Sequence, residues 1–366
     1  MFRQLKKFTV NMVAGANVAT AILMLMVGFT DYVNPSTHPL LATLGLAFPA
    51  FLLANLGFLF FWLIFCRRMV WIPVTGFIAA YAPVRTYIPF NAPHDTPLGA
   101  IKVMSYNVQA FNGVGSTDED AAGEIFDYLQ ATRPDIVCLQ EGFDSWRHVK
   151  ERLDTLFAHN DSVLLGTNGY RNSLCIFTKY PILRKERIPY ASKYDANASM
   201  AYYLDINGRT VLVINNHFES NRLTESDKQK YKDILKGTVQ GDTAKKDSKL
   251  IIFKLTEAAH RRCSQADAVH AYIEKHKGRY PVIVCGDFND SPISYTHRVV
   301  AKGLTDCYVS TANGLGLSYN QKGFYVRIDN MLCSDKLEPY NCHVDNTIKA
   351  SDHYPIVCWM KFSHRP

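Results

Sequence analysis

The first 90 residues hold a single acid, Asp31, against six bases, Arg3, Lys6, Lys7, Arg67, Arg68 and Arg85. This scarcity of charge constrains the chain more than any other feature, because it leaves uncharged stretches long enough to cross a bilayer. Phe8 to Thr30 is one such stretch and ends in the apolar run Ala21–Val27. Tyr32 to Cys66 is another, and within it Leu40–Phe65 makes a second candidate span. A third segment, about 69–86, is shorter and interrupted by Pro73 and Pro83, with Arg68 and Arg85 flanking it and Trp71 and Tyr87 as interfacial anchors. The sequence therefore predicts three transmembrane helices, at about 8–30, 40–65 and 69–86. A re-entrant or interfacial segment is the alternative for the third. A cleavable signal peptide does not suit the first stretch, which is longer than a signal's apolar core and is followed by further spans.

Orientation follows from the bases. Arg3, Lys6 and Lys7 precede the first span, Arg67 and Arg68 lie between the second and third, and Asp31–Pro39 carries no Lys or Arg. The positive-inside rule puts the N-terminus and the Cys66–Arg68 turn in the cytoplasm. Three spans then predict a multi-pass protein of the cell membrane whose remainder is extracytoplasmic; two spans would reverse that side.

From Asn91 onward the composition is that of a soluble domain, with 34 basic and 32 acidic residues. Such near-neutrality excludes a strongly basic nucleic-acid footprint. Cys138, Cys285 and Cys358 lie in apolar runs as buried thiols would, and the absence of a CxxC pair argues against zinc. Residues 91–100, with Pro93 and Pro97, read as a linker, and 101–366 as the globular domain. Strands are expected at Ile101–Val108, Asp135–Glu141, Asn172–Thr178, Met200–Ile206, Thr210–Asn215, Val282–Cys285, within Tyr325–Cys333, and at Ile356–Lys361. Helices are expected from Thr117, over Trp146–Phe157, and along Thr256–Lys277, whose Ala259, Cys263, Ala266, Val269 and Ile273 share one face. The polar insert at 222–250 predicts a solvated helix over Glu225–Lys236 and a flexible stretch after Gly237. Strands joined by hairpins and helices, without regular βαβ alternation, favour two packed sheets with helices outside.

Polar groups recur where these apolar strands end. They are Asn107, Glu141, His217, Asp287 with Asn289, Asp329, and Asp352 with His353. One such ending is an ordinary turn, but six point to a shared site. Carboxylates and amides are hard oxygen ligands that suit magnesium or manganese, and two histidines among acids suit proton transfer.

The ordered set Ser105-Tyr106-Asn107, Leu139-Gln140-Glu141, Asn216-His217, Gly286-Asp287-Phe288-Asn289, Ile328-Asp329 and Ser351-Asp352-His353 resembles the endonuclease/exonuclease/phosphatase superfamily over about Ile101–Phe362. The prefix looks like that of membrane-bound bacterial members. The resemblance implies an α/β fold, a four-layer sandwich of two packed mixed β-sheets flanked by helices, here preceded by N-terminal transmembrane helices. It implies Mg2+ or Mn2+ on Asn107, Glu141 and Asp352, and catalytic roles for His217, Asp287, Asn289, Asp329 and His353. Tyr170, Arg171 and Asn172 stand where the family places substrate-binding groups, although relatives carry an acid at the position of Asn172. Asn197 and Ser199 occupy a stretch in which relatives often carry Arg. The implied reaction is in-line attack of water on a phosphate ester. The substrate would be a nucleic acid, a lipid headgroup or a small phosphoester, and the bilayer would be met through the N-terminal helices. The near-neutral charge and the anchor favour the latter two substrates. An inactive membrane-tethered binding or scaffold module is the competing class, and the presence of Glu141, Asp287 and His353 speaks against it.

Overall fold

The computed structural model describes residues 2–111, 121–142, 151–167 and 171–363. The expected helix start at Thr117, the first part of the Trp146–Phe157 helix and Tyr170 lie outside them. Two six-stranded mixed sheets form the globular part. The first contains β1 (Ile101–Asn107), β2 (Ile136–Gln140), β3 (His159–Leu165), β4 (Asn172–Thr178), β11 (Leu337–Val344) and β12 (Ile356–Phe362), in the order β11-β12-β1-β2-β4-β3. The second contains β5 (Ile182–Arg187), β6 (Ala198–Ile206), β7 (Arg209–His217), β8 (Val282–Asp287), β9 (Thr305–Asp306) and β10 (Asp329–Cys333), in the order β5-β6-β7-β8-β10-β9.

Successive side chains alternate between faces, so each central strand feeds two cores. Val103, Ile136 and Ile176 of the first sheet meet Tyr202, Val213, Ile283 and Met331 of the second between the sheets. Met104, Val137 and Phe177 point the other way, onto Ile125 and Leu129 of the helix Ala121–Thr132. Leu212, Ile214 and Val284 likewise meet Ala266, Val269 and Ile273 of the long helix Gly241–Lys277. Helix, sheet, sheet and helix are the four layers.

The four strands that the sequence pattern does not reveal, β3, β5, β9 and β11, are the four sheet edges. Edge strands are half-exposed and often charged, as Arg184, Lys185, Glu186 and Arg187 are in β5, so their apolar alternation is weak. The insert also differs from expectation. Its helix spans Glu225–Lys236 as predicted, started by a Thr224–Asp227 capping box and ended by left-handed Gly237. The stretch beyond it is not flexible coil. The long helix begins at Gly241, because nothing between Gly241 and Lys277 breaks a helix and its polar face carries spaced opposite charges.

In the N-terminal part, helices α1 (Phe2–Gly28), α2 (Pro39–Thr43), α3 (Phe48–Phe65), α4 (Trp71–Ala79) and α5 (Tyr81–Tyr87) pack together. The segments Arg3–Tyr32 and Pro39–Phe65 are long and apolar enough to cross a membrane. The expected third span is not one continuous helix: it breaks at Ala80 into α4 and α5. Buried amides tie the bundle. Asn17 Nδ2 donates to Asn55 Oδ1 at 3.1 Å, Asn55 Nδ2 to the Pro73 carbonyl at 3.1 Å, and Trp62 Nε1 to Asn17 Oδ1 at 3.0 Å. Among apolar helices such bonds specify which faces meet.

The bundle rests on the globular part. Arg298 donates to the Asp31 carbonyl at 3.1 Å and stacks on Tyr32, while Ile293 packs with Phe48 and Tyr87. Buried Arg327 donates to the Thr86 carbonyl at 2.8 Å. The linker is held at its start, where Asn91 Nδ2 bonds the Val309 carbonyl at 3.1 Å.

Gly286 lies inside β8 at φ +131°, where a Cβ would sit 2.0 Å from the Asn216 carbonyl oxygen of β7. Only glycine permits these two backbones to pair so closely beside the site. Gly286→Ala is expected to cost about 3 kcal/mol or more, read as a lowered denaturation midpoint, with no metal or substrate needed to see it.

Candidate active site

The strand registers bring the expected residues together. In the second sheet β7 runs parallel to β8 and pairs His217 with Asp287, while β10 runs antiparallel to β8 and pairs Asp287 with Asp329. Three of the expected site residues thus form one row across three neighbouring strands. In the first sheet β1 and β2 are parallel, with Asn107 opposite Gln140, so Glu141 follows at the same end. His353 precedes β12, which pairs with β1, and reaches the same cleft between the sheet ends. Below them Gln140 Nε2 donates to Asn215 Oδ1 at 2.7 Å and Asn215 Nδ2 to the Leu139 carbonyl at 3.1 Å, joining the two sheets under the site.

Asp287 is the hub. Its Oδ2 accepts from Asn107 Nδ2 at 3.1 Å and Asn289 Nδ2 at 3.2 Å, and its Oδ1 from the Asn289 amide at 2.8 Å. The same Oδ2 stands 3.8 Å from both His217 Nε2 and His353 Nε2. Asn289 adopts the left-handed conformation at φ 51° and also donates to the Phe218 carbonyl, which turns its amide back onto Asp287. Burial pushes the Asp287 carboxyl up to about 6; His353 opposes the rise, Asp329 adds to it and His217 opposes it.

His353 Nδ1 donates to Asp329 Oδ2 at 2.8 Å. Ser318 Oγ accepts from the Asp329 amide at 3.0 Å, and the Tyr319 ring stands edge-on to the imidazole. Burial alone would lower the His353 pKa, but Asp329 and Asp287 outweigh it and hold the ring well above its ordinary range. The ligand atoms of Asp287, Asp329 and His353 all lie within 4.8 Å of one another. The 2.8 Å Asp329–His353 contact is a hydrogen bond, in which an ionised carboxylate can only accept, so this trio reads as a hydrogen-bonded chain rather than an ion's coordination shell.

His217 has a defined tautomer. Asn172 Oδ1 accepts from the Ser173 amide at 2.7 Å and its Nδ2 donates to the Ala196 carbonyl at 2.9 Å, which fixes the orientation of the amide. The remaining Nδ2 hydrogen meets His217 Nδ1 at 3.0 Å, so Nδ1 accepts and Nε2 carries the proton. That Nε2 lies 3.3 Å from Glu141 Oε1. Asn172, expected as a substrate contact, is instead buried and committed to His217. Arg171 is exposed at the start of β4. Asn197 and Ser199 bond Glu219 and Asn216 within the buried network behind His217.

Glu141 follows β2 at φ 57°, which turns its carboxylate out of the strand, and its side chain is 37 % exposed. Burial would raise its pKa, yet the hydrogen bond and charge of His217, then His353 and Asn107, hold it at about 2. Asp352 is raised by burial; His353 counters, and Glu141 adds to the rise. Four acids thus surround two histidines, and Glu141 and Asp352 repel each other. Hard oxygen donors with excess negative charge fit a divalent cation such as Mg2+ or Mn2+.

Three nearby groups carry no strand-end signal. Gln109 Oε1 accepts from the Asp352 amide at 3.2 Å, and the Asn320 amide donates to the Asp352 carbonyl at 2.6 Å. Lys228 of the insert helix, paired with Glu225 at 2.7 Å, lies 5.6 Å from the centre of the Tyr319 ring. In sequence it is one charge among many on a solvated helix.

The two-sheet fold and this acid–histidine site define a hydrolase of phosphate esters. Residues 104–353 match the Endonuclease/Exonuclease/phosphatase family, and the chain belongs to that family. Residues 10–87 match a domain of unknown function (DUF8431). No curated protein matches the chain. The human Nocturnin catalytic domain with bound sulfate superposes with a TM-score of 0.50 at 18% identity, covering 72% of this chain and 95% of that one. An endonuclease/exonuclease/phosphatase from Beutenbergia cavernae gives 0.50 at 14% identity, covering 72% of each chain. A mannosyl-6-phosphatase of Bacteroides thetaiotaomicron gives 0.49 at 18% identity, covering 72% of this chain and 100% of that one. At such identities the likeness is one of fold.

Asn172→Leu removes the donor that selects the His217 tautomer without touching the cleft. It is expected to lower kcat by about tenfold, a barrier change of about 1.4 kcal/mol, with KM nearly unchanged. A rise in KM alone would return Asn172 to substrate binding.

Proposed function

We propose that this chain is a membrane-anchored, divalent-metal-dependent phosphoesterase that cleaves phosphodiesters or phosphomonoesters by in-line attack of water. The observation that carries the reading is the convergence of His217 and His353 on one oxygen of Asp287, with Asp329 behind His353. Asn107, Glu141 and Asp352 would hold Mg2+ or Mn2+; when bound, the ion supplies charge neutralisation at the phosphoryl group.

Asp287 is the base. Its raised pKa leaves it ionised near neutrality yet able to accept a proton, the range in which general bases work best. Asn107 and Asn289 orient the carboxylate towards the attacking water. His353, kept protonated by Asp329, donates from Nε2 to a phosphoryl oxygen as negative charge builds there. His217, its Nδ1 engaged by Asn172 and its Nε2 carrying a proton, binds a second oxygen. Arg171 stands at the rim as a phosphate contact.

The anchoring part rests on the topology of the bundle. Asp31–Pro39 and the end of α5 meet the globular part, whereas Arg3, Lys6, Lys7, Arg67 and Arg68 lie at the other ends of the helices. The α4–α5 segment, Trp71–Tyr87, would add a kinked third crossing of about 25 Å. With that third crossing, the basic ends would be cytoplasmic and the active site would lie outside the cytoplasm.

The central test is hydrolysis of bis-p-nitrophenyl phosphate by the full chain. Activity is expected with Mg2+ or Mn2+ and to vanish with chelator; full activity in metal-stripped enzyme under excess chelator would refute the metal assignment. Asp287→Asn should lower kcat by about 10²- to 10⁴-fold without unfolding the domain.

The pH profile carries its own sign. Activity should fall as acid protonates Asp287 and as base deprotonates His353. Asp329 raises both groups, so Asp329→Asn should move both limbs to lower pH. An unmoved alkaline limb would show that His353 is not the group that must stay protonated.

A further inference from the structure

We infer that the N-terminal half of the long helix, Gly241–Lys277, lies along the surface of the bilayer that holds the anchor and grips its anionic lipid headgroups. This rests on the proposed anchoring, but the anchor itself does not predict it.

One face of that helix already meets the segment joining the first two apolar helices. Cys263 Sγ donates to Asn34 Oδ1 at 3.2 Å, His260 Nδ1 stands 3.4 Å from the Pro35 carbonyl, and Asp267 accepts from Tyr295, whose hydroxyl also faces Asn34. Helix α2 packs on the same long helix, and its Leu40 and Leu41 are about half exposed. A segment connecting two membrane-crossing helices lies at the bilayer surface, so the face that meets it points to the membrane.

At 100° per residue, the face of Asp267, Cys263 and His260 continues towards the N-terminus through Thr256, Phe253, Ile252, Lys249, Lys246 and Lys245, and ends at Asp242, an acid that stands 3.7 Å from Lys245. Phe253 is 62% and Ile252 43% exposed, beyond what a solvated face calls for, and the three lysines are exposed. An apolar pair followed by a basic stripe is the pattern of an interfacial helix, with rings and branched chains among the acyl boundary and ammonium groups at the phosphates. The stripe reaches about 16 Å beyond Thr256. The continuity of this face with the segment beside the anchor selects the bilayer over a soluble protein as its occupant.

The same stretch connects to the active site. Leu250, Phe253 and Lys254 line a cavity of about 300 Å³ together with Asn221 and Arg222, and Asn221 stands 3.5 Å from the Asn289 carbonyl. Seating the helix on the membrane therefore holds one rim of the catalytic cleft against the lipid surface.

The test uses the full chain in nanodiscs of phosphatidylcholine, with or without phosphatidylglycerol. With Cys66 replaced by Ser, a fluorophore is placed in turn at Ile252→Cys, at Ile22→Cys within the first apolar helix, and at Leu183→Cys. Leu183 is an exposed leucine at the end of β5 away from the active-site strand ends. Nitroxides on lipid headgroups are expected to quench the probe at 252 at least about threefold more than at 183, and more strongly with phosphatidylglycerol. Combined Lys245→Gln, Lys246→Gln and Lys249→Gln should remove the phosphatidylglycerol effect. Equal quenching at 252 and 183, with the probe at 22 quenched by acyl-chain nitroxides, overturns the inference and leaves the anchor standing. No quenching at 22 removes the anchoring itself, and this inference with it.

Discussion

The site depends on how β8 is paired. Parallel to β7 on one side and antiparallel to β10 on the other, it aligns His217, Asp287 and Asp329 in one row. A slip of one residue on either side would turn alternate side chains to the opposite face and scatter the row. Gly286 makes the pairing with β7 possible, since any side chain there would collide with the Asn216 backbone. A residue with no side chain thus sets the positions of three that have chemistry.

The electrostatics follow from this packing. Buried acids resist ionisation and buried histidines resist protonation; neighbours of opposite charge outweigh this at Glu141 and His353, whereas burial prevails at Asp287 and Asp352. Asp329 keeps His353 charged, while Asp287, buried between charges of both signs, stays close to neutrality in its affinity for a proton. The amides of Asn107, Asn172 and Asn289 direct the charged groups without adding charge. Orientation is thereby separated from protonation.

The N-terminal helices are not an independent appendage. Asp31, Asn34, Thr86 and Pro89 all bond to the globular part, mostly through backbone carbonyls whose geometry is independent of side-chain identity. The bundle is specified internally by the Asn17–Asn55–Trp62 network, which apolar contact alone would leave without a register. The catalytic cleft therefore has a set orientation relative to the apolar helices.

The sequence by itself determined the apolar helices, the central strands and the polar strand ends, because each is a local property of composition or of two-residue alternation. Asn107, Glu141, His217, Asp287, Asp329 and His353 were legible as a group since polar residues ending buried strands have no packing use there. The edge strands were hidden because half-exposed backbone tolerates any side chain, and Gly241–Ser248 because its charges resemble those of a coil. Tertiary structure alone decided that Asn172 faces His217 rather than the cleft, and that Lys228 and Tyr319 reach the site. Each is a contact between residues distant in sequence, and such contacts exist only once the sheets have paired in register.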